Sequence, residues 1–430
     1  MFRITALALI AALAVVAGVL CSPATADEPK SPPGYLKAAP PPKLPPGLDL
    51  DRLADPKEAT KVADWVEKEY SDSPKPESVR MLVALLRKGS QMGGQDGWFG
   101  AAETRYNWKW LAEQHGLAPD AKAIPKDIFH GSPKLFDRLD RDGDGVITPG
   151  DLDWSDRNPY VQQLGLVSRL FRRMNTTGTG KLSREELDDF FKKAARGKDH
   201  VTPDDLRLVL IPPGGYLPGD APSTPILVRG FLAGEIGSMG EGPKFGALAP
   251  DFTLKTVDGK ETKTLSKLLG PKPVVLVFGN FTCGPFRALY PEVEAVYRRF
   301  KDEATFLMVY VREAHPTNGW AMESNVRAGV AVKQPTTFGE RVEVCNQFCQ
   351  RLKPEIPVVV DEIHDPVNTA YSGVPARLYV IDTKGRVAYK NGRGPFGFRA
   401  GEMEQALVMS LLEISSAKEP KAAPVGRAPR

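Results

Sequence analysis

The sequence predicts a multidomain protein in which a mainly α-helical part precedes an α/β domain. Apolar residues recur at helical spacing in residues 51–195, whereas strand-like and helix-like runs alternate through residues 246–414. The chain has 430 residues, of which 42% are apolar, so it can bury more than one core. Its formal net charge of +4 is small and evenly spread, which gives no indication of nucleic-acid binding.

Residues 1–26 are typical of a secretory signal peptide. A basic residue precedes an apolar run, and the small residues at 24–26 offer a cleavage site. We expect removal of this segment and an exported protein, periplasmic or extracellular, that keeps no membrane span. A membrane anchor and lipidation at Cys21 are the alternatives. Cleavage would leave three cysteines, an odd number that does not suit a disulfide scaffold.

Composition divides the remaining chain into segments. Residues 27–50 are rich in proline and predict an extended, unpacked tether. Residues 51–130 have a helical pattern, and their aromatic residues are expected in a core. Residues 196–245 are rich in proline and glycine and predict a linker with some strand, for instance at 206–211. Residues 415–430 predict a disordered tail.

The acidic loop DRDGDGVITPGD, residues 140–151, has the spacing of a calcium ligand set. The oxygen ligands expected for one Ca²⁺ come from Asp140, Asp142, Asp144, Val146 (its backbone carbonyl), Thr148 and Asp151. Gly145 stands where the chain must turn sharply. The loop resembles an EF-hand, which implies bound Ca²⁺. The last ligand is Asp instead of the longer Glu, so we expect weak affinity; an acidic turn without metal is the alternative.

A second loop at residues 175–186 keeps the EF-hand spacing but has lost most of its charge. Glu186 is the one carboxylate left among the side chains at ligand positions. One charge poorly offsets the dehydration of a dication, so we predict a structural partner for the first loop. A second metal site is the alternative. Residues 131–195 therefore predict an EF-hand pair.

A lone cysteine follows a buried-type strand in the α/β part. Residues 273–278 form a short, continuous apolar run, Cys283 lies on the turn after it, and a helical pattern follows. Peptide N–H groups at a helix N-terminus stabilise an anion, so the sequence predicts a depressed pKa for Cys283 and fast alkylation below pH 8. A thiolate attacks disulfides, peroxides and carbon–halogen bonds. A small buried apolar side chain is the alternative role.

The segments around Cys283 resemble a thioredoxin-like domain. Residues 249–265 look like the first strand and hairpin of the peroxiredoxin-like branch of that fold. The tripeptide Gly373-Val374-Pro375 precedes a strand at 377–382, where such proteins place a cis-proline beside the reactive cysteine. The resemblance implies a thioredoxin-like α/β fold for residues 246–414.

Three segments, at 278–286, 306–320 and 391–398, resemble the iodothyronine deiodinase family. The resemblance implies that Cys283 stands where that family has its selenocysteine nucleophile. It also implies that Glu313 and His315 are the family's acid and histidine, which could hold the thiolate and donate a proton to a leaving group. The expected activity is that of a deiodinase-like or peroxiredoxin-like thiol oxidoreductase.

The chain departs from the family pattern at two places. Phe281 stands where the family commonly has a cysteine, and Lys333-Gln334-Pro335 stand where a further histidine is expected. Disulfides, peroxides and aryl halides all stay open as substrates. An external thiol is the expected reductant of oxidised Cys283. Cys345 and Cys349, on a predicted helix at 340–352, could resolve it instead or simply pack that helix onto the sheet.

A second hypothesis is that the chain is not an enzyme. The missing second cysteine and the large part outside the α/β domain also suit a calcium-dependent binding or scaffold protein whose redoxin-like domain is inert. This hypothesis predicts a calcium-dependent melting shift without thiol reactivity.

Overall fold

The computed structural model describes residues 40–71, 74–93, 96–210 and 222–418. The predicted signal peptide, with Cys21, and residues 27–39 of the predicted tether lie outside the described residues, as do residues 419–430. Within the described ranges, no helix is both long enough and apolar enough to cross a membrane.

One mixed sheet organises the described chain. The strands are β1 (Glu103–Thr104), β2 (Ile124–Pro125), β3 (Val146–Ile147), β4 (Thr253–Thr256), β5 (Thr262–Thr264), β6 (Val274–Gly279), β7 (Thr305–Tyr310), β8 (Val358–Val360), β9 (Arg377–Ile381) and β10 (Val387–Lys390). The large sheet has the order β1-β10-β9-β6-β7-β8-β4-β5, and β2 pairs with β3 separately. Strands β6, β7 and β8 are parallel, and β9 and β4 flank them in antiparallel pairing.

Helices cover both faces of this sheet and form a separate layer at its edge. They are α1 (Pro56–Glu69), α2 (Glu77–Lys88), α3 (Trp108–Gln114), α4 (Pro133–Leu139), α5 (Pro149–Leu152), α6 (Pro159–Met174), α7 (Arg184–Ala195), α8 (Pro203–Leu210), α9 (Thr224–Leu232), α10 (Leu265–Leu268), α11 (Gly284–Phe300), α12 (Glu323–Arg327), α13 (Phe338–Leu352), α14 (Pro366–Tyr371) and α15 (Ala400–Lys418). Short 3₁₀ helices lie at Leu50–Ala54, Gly89–Gln91 and Lys126–Ile128.

The predicted thioredoxin-like arrangement is confirmed. Strand β6 leads through α11 into the parallel strand β7, and the chain later returns as the antiparallel pair β9 and β10 before α15. The Val374–Pro375 peptide bond is cis, as expected from the sequence. All residues of β6 are buried because both faces of the strand are covered. Val275 and Val277 face one core and Leu276 faces the other.

Two sequence predictions for the N-terminal half are wrong. Residues 40–50 were expected in an unpacked tether, but Leu44 and Leu48 pack against the core of α1, α2 and α9. This proline-rich segment is ordered because its leucines bury apolar surface there. Residues 206–211 were expected as a strand, but α8 occupies 203–210. A proline at its first position and two aspartates in its first turn favour a helix there.

The sheet domain also extends beyond its predicted limits. Strand β1, at Glu103–Thr104, pairs with β10 and adds an edge strand from the predicted helical region. Helix α15 continues to Lys418, so residues 415–418 are helical where a disordered tail was expected. The predicted EF-hand part packs on this helix, since Trp154 Nε1 donates to Gln405 Oε1 at 2.9 Å. Arg399 pairs with Asp156 at 2.8 Å in the same contact.

A buried arginine joins the helical layer to the sheet domain. Arg393 is fully buried, lies 3.8 Å above the Trp98 ring and donates to the carbonyl oxygens of Ser238 and Gly240, each at 2.9 Å. We expect Arg393→Met to lower the free energy of unfolding by about 3 kcal/mol, because those carbonyls and Glu77 lose their buried partner.

Urea unfolding followed by circular dichroism measures this effect. Arg386→Met is the matched control, because the side chain of the exposed Arg386 bonds to the Gly246 carbonyl, and we expect a change within about 0.5 kcal/mol. Equal losses in both variants would show that Arg393 does not join the two layers.

Candidate active site

Cys283 occupies the N-cap position of α11, directly after the turn that ends β6. Gly279 permits the close approach of this turn, because a Cβ at that position would lie 2.1 Å from the Phe286 ring. Pro285 lies in the first turn of the helix, where its missing N–H costs no hydrogen bond. The strand, turn and helix predicted around Cys283 are therefore present.

Asn280 ties three strand ends together at this turn. Its Oδ1 accepts hydrogen bonds from the backbone N–H of Cys283 at 3.0 Å and of Ala314 at 3.3 Å. Its Nδ2 donates to the Pro375 carbonyl at 2.9 Å. The chain after β6, the chain after β7 and the cis-proline before β9 thus share one side chain, which fixes the position of the cysteine relative to its neighbours.

Glu313 lies against the residue that precedes Cys283. The side chain is fully buried, and its Oε2 accepts from the Thr282 backbone N–H at 2.8 Å. The Tyr310 hydroxyl donates to the other carboxylate oxygen. Burial raises the pKa of Glu313, although its hydrogen bonds to Tyr310 and Thr282 oppose this shift. A buried carboxyl group with a raised pKa is suited to hold and donate a proton.

His315 reaches the same turn through its backbone. Its N–H donates to Thr282 Oγ1 at 3.0 Å. The ring is half-buried, stands perpendicular to Trp320 with 4.5 Å between centroids, and has Nδ1 3.3 Å from the Trp320 carbonyl. The structure therefore places Cys283, Glu313 and His315 around Thr282 at one edge of the sheet.

The expected depressed pKa of Cys283 is contradicted. The residue is 1% exposed, and burial raises the pKa of its thiol to about 11. The Phe286 backbone N–H and the Arg287 guanidinium lower this pKa, whereas Glu313 raises it further. The sequence shows the helix N-terminus but not the exclusion of water, and burial outweighs the helix contribution. Fast alkylation below pH 8 is not expected of this closed state.

Arg287 and Asn325 clamp the turn, and the sequence analysis missed both. Arg287 Nη1 donates to the Phe281 carbonyl, and its Nη2 donates to Asn325 Oδ1 at 2.8 Å. Asn325 Nδ2 in turn donates to the Thr282 carbonyl at 2.7 Å. A cation one helical turn after Cys283 was a usable signal for Arg287. Asn325 is remote from Cys283 in sequence, and no sequence signal pointed to it.

Gln334 occupies the region where a further histidine was expected. Its Oε1 accepts from the Glu313 N–H at 3.0 Å, and its Nε2 donates to the Glu313 carbonyl at 2.9 Å. A glutamine amide can make both bonds at once, so Gln334 fixes the backbone of the buried acid.

The other two described cysteines lie on α13 and form no disulfide with each other. Cys345 is buried in the same apolar core as Cys283, and burial raises its pKa. Cys349 is half-buried, and a hydrogen bond with Cys345 lowers its pKa. Packing of α13 onto the sheet accounts for Cys345, while Cys349 is the more accessible thiol.

The first EF-hand-like loop brings three carboxylates together. One oxygen from each of Asp140, Asp142 and Asp144 lies within 4.8 Å of the others. Gly145 has a φ of +88° and donates its N–H to Asp140 at 2.9 Å, the turn expected at this position. Asp151 does not join the group. Its carboxylate accepts from the backbone of Arg141 at 3.0 Å and of Thr148 at 2.7 Å.

Comparison with known proteins supports the sequence resemblance. Residues 232–410 match the family model of iodothyronine deiodinases. This segment is a deiodinase-like domain with a thioredoxin-like fold. The type II iodothyronine deiodinase of Rattus norvegicus is 32% identical over 155 residues, which cover 36% of this chain and 58% of that protein. The thyroxine 5-deiodinase of Gallus gallus is 32% identical over 159 residues, covering 37% and 60%.

The deiodinase-like chain therefore spans about three fifths of the length of these relatives. Among solved structures, the thioredoxin domain of a thiol-disulfide oxidoreductase from Bacteroides vulgatus is 17% identical. It covers 39% of this chain and 97% of its own, with a TM-score of 0.28. A likeness at that TM-score supports no inference about function.

The charge of Glu313 should act directly on Cys283. We expect Glu313→Gln to lower the pKa of Cys283 and to speed its alkylation by iodoacetamide at pH 9, because a neutral amide removes a negative charge beside the sulfur. Peptide mass spectrometry separates Cys283 from the other two described cysteines.

Glu294→Gln is the matched control for this substitution. Glu294 is also buried and also accepts from a tyrosine, at 2.6 Å from Tyr290 Oη, but it is not among the groups that shift the pKa of Cys283. A rate unchanged in Glu313→Gln, or raised equally in both variants, would contradict the proximity of Glu313 to the sulfur.

Proposed function

We propose that this chain is an exported thiol oxidoreductase in which Cys283 is the single nucleophile. The observation that carries the proposal is that the Glu313 carboxylate and the His315 backbone both bond to Thr282, the residue directly before Cys283. The similarity of residues 232–410 to the deiodinases supports it. The signal-peptide pattern of residues 1–26 supports export.

The reaction we propose begins when the Cys283 thiol passes its proton to the Glu313 carboxylate, whose charge acts on the sulfur. With a disulfide substrate, the sulfur forms a bond to one substrate sulfur and the other sulfur leaves as a thiol. Glu313, whose raised pKa suits it to hold that proton, returns it to the leaving sulfur, and His315 lies at the same turn. An external thiol then cleaves the mixed disulfide and restores Cys283. A peroxide or an aryl halide could be attacked by the same sulfur.

Substitution of the nucleophile tests this proposal. We expect Cys283→Ser to abolish turnover, a loss of at least about a thousandfold, against whichever of a disulfide, a peroxide and an iodoaryl substrate the wild type converts. A dithiol reductant present throughout replaces the external thiol.

The matched controls are Cys345→Ser and Cys349→Ser. If an external thiol regenerates Cys283, each control keeps turnover within about threefold of the wild type. Full turnover in Cys283→Ser would reject the proposed nucleophile. A large loss in Cys349→Ser alone would replace the external thiol with an internal resolving cysteine.

We also propose that the first loop binds Ca²⁺ as a structural ion. Asp140, Asp142 and Asp144 offer hard oxygen ligands in a converging group, which suits this cation, and the Val146 carbonyl and Thr148 belong to the same loop. Asp151 supports the loop by accepting from Arg141 and Thr148. The bound ion would neutralise the repulsion among the carboxylates and hold α4 and α5 in place.

Calcium should raise the melting temperature of the full chain. With millimolar affinity, 10 mM Ca²⁺ adds about 1–2 kcal/mol to the free energy of unfolding, and Asp144→Asn should remove most of that gain. Asp189→Asn is the control, because Asp189 is exposed on α7 with a single lysine partner. A calcium shift that survives in Asp144→Asn would place the ion elsewhere.

The burial of Cys283 favours a second candidate function, a calcium-dependent binding or scaffold protein. A thiol with a pKa of about 11 is almost fully protonated at neutral pH. If the closed turn never opens, the domain would be inert. The substrate panel distinguishes the two functions, because this alternative requires no turnover of any substrate by the wild type.

A further inference from the structure

The second EF-hand-like loop, residues 175–186, packs directly on the helix that carries Cys283. A Cβ on Gly180 would lie 2.7 Å from the carbonyl oxygens of Arg287 and Ala288 and from Pro291 Cδ. Pro291 lies inside α11 and lacks the N–H that would bond to the Arg287 carbonyl. The loop therefore covers the side of α11 where the helix has lost a hydrogen bond, and only glycine leaves room for that contact.

A second contact ties the same loop to α13. Arg351 Nη2 donates to the Thr177 carbonyl at 2.9 Å, and the same atom also bonds to the Ala328 carbonyl. The loop thus joins α11 to α13, the two helices that carry the three described cysteines.

The Asn175 side chain holds the oxygens of this loop together. The Nδ2 atom of Asn175 lies 2.9–3.5 Å from five oxygens, contributed by Thr177 Oγ1, Thr179 Oγ1, the Lys181 carbonyl and both carboxylate oxygens of Glu186. These are the oxygens that would surround a cation in an EF-hand. The Asn175 Oδ1 atom accepts from the Gly180 N–H at 2.8 Å, which fixes the orientation of the amide. The two N–H groups of the Asn175 amide therefore link these oxygens, the nearest being the Lys181 carbonyl and Glu186 Oε1.

Arg287, which holds the Cys283 turn, lies beneath the loop at 175–186. A Cβ on Gly178 would lie 3.5 Å from Nη2 of Arg287, whose guanidinium holds Phe281 and Asn325. Arg287 is 3% exposed although it carries a full charge. The loop helps to exclude water from the Arg287 guanidinium and from the Cys283 turn that this guanidinium holds.

We propose that residues 175–186 form a clamp that keeps the Cys283 turn closed, and that release of this clamp exposes the sulfur to substrate. The consequence for turnover rests on the proposed function of Cys283. The closure itself does not rest on that function, because closure is measured as the accessibility of the thiol.

The two EF-hand-like loops supply a matched pair of substitutions. Gly180 and Gly145 occupy the same position in their loops, with φ of +70° and +88°, so alanine strains the backbone at both. A Cβ at Gly145 meets no atom within 4 Å, whereas a Cβ at Gly180 collides with α11. We expect Gly180→Ala to raise the rate of Cys283 alkylation by iodoacetamide at pH 8 about tenfold, and Gly145→Ala to change it less than about twofold.

A third variant keeps the test informative if Gly180→Ala does not fold. Asn175→Asp places a carboxylate beside Glu186, so the loop should repel itself without metal and close when Ca²⁺ binds. In an Asp144→Asn background, which removes the response of the first loop, we expect alkylation of Cys283 to be about tenfold faster in chelator than in 10 mM Ca²⁺.

Equal alkylation rates in folded Gly180→Ala and Gly145→Ala, or no calcium response in Asn175→Asp, would overturn the clamp. Turnover by Cys283→Ser would reject the proposed nucleophile and leave these alkylation results standing. Failure of the clamp and failure of the proposed function are therefore separate outcomes.

Discussion

The exclusion of water from the Cys283 sulfur is the constraint on which the rest of the site depends. The helix N-terminus and Arg287 favour the thiolate, but burial favours the thiol and prevails, with a pKa of about 11. The same closure desolvates Glu313 and gives it the raised pKa that a proton donor needs. The structure therefore shows a closed state in which the Cys283 thiol is protonated and the buried Glu313 lies beside it. Chemistry at neutral pH would require this turn to open or a substrate to displace its cover.

The closure depends on parts of the chain that lie far apart in sequence. Asn280 links the ends of β6 and β7 to the cis-proline, and Asn325 links Arg287 to the turn. The EF-hand-like part contributes from outside the sheet, because Trp154 bonds to α15 and the loop at 175–186 packs on α11. The EF-hand-like and deiodinase-like parts of the described chain are thus packed against each other.

Local patterns predicted the local structure well. The apolar run at 273–278, the helix after Cys283, the cis-proline and the loop glycines each follow from a short stretch of residues, and each is present. Predictions failed where long-range packing decides the outcome. The sequence does not show that Leu44 finds an apolar partner, or that Gln334 bonds to Glu313. The prediction of a low pKa for Cys283 failed for the same reason. The environment of the sulfur is assembled from residues 281–334 and not from the turn alone.

The pH dependence of Cys283 alkylation in the wild-type chain tests the central claim most directly. If the thiol is sealed as described, the logarithm of the rate rises by about one per pH unit through neutral pH and levels off only near pH 11. Because iodoacetamide reacts with the thiolate, the plateau reports the pKa of this sulfur in the folded protein. A plateau already reached below pH 8 would show an exposed, ionised cysteine and would contradict the account.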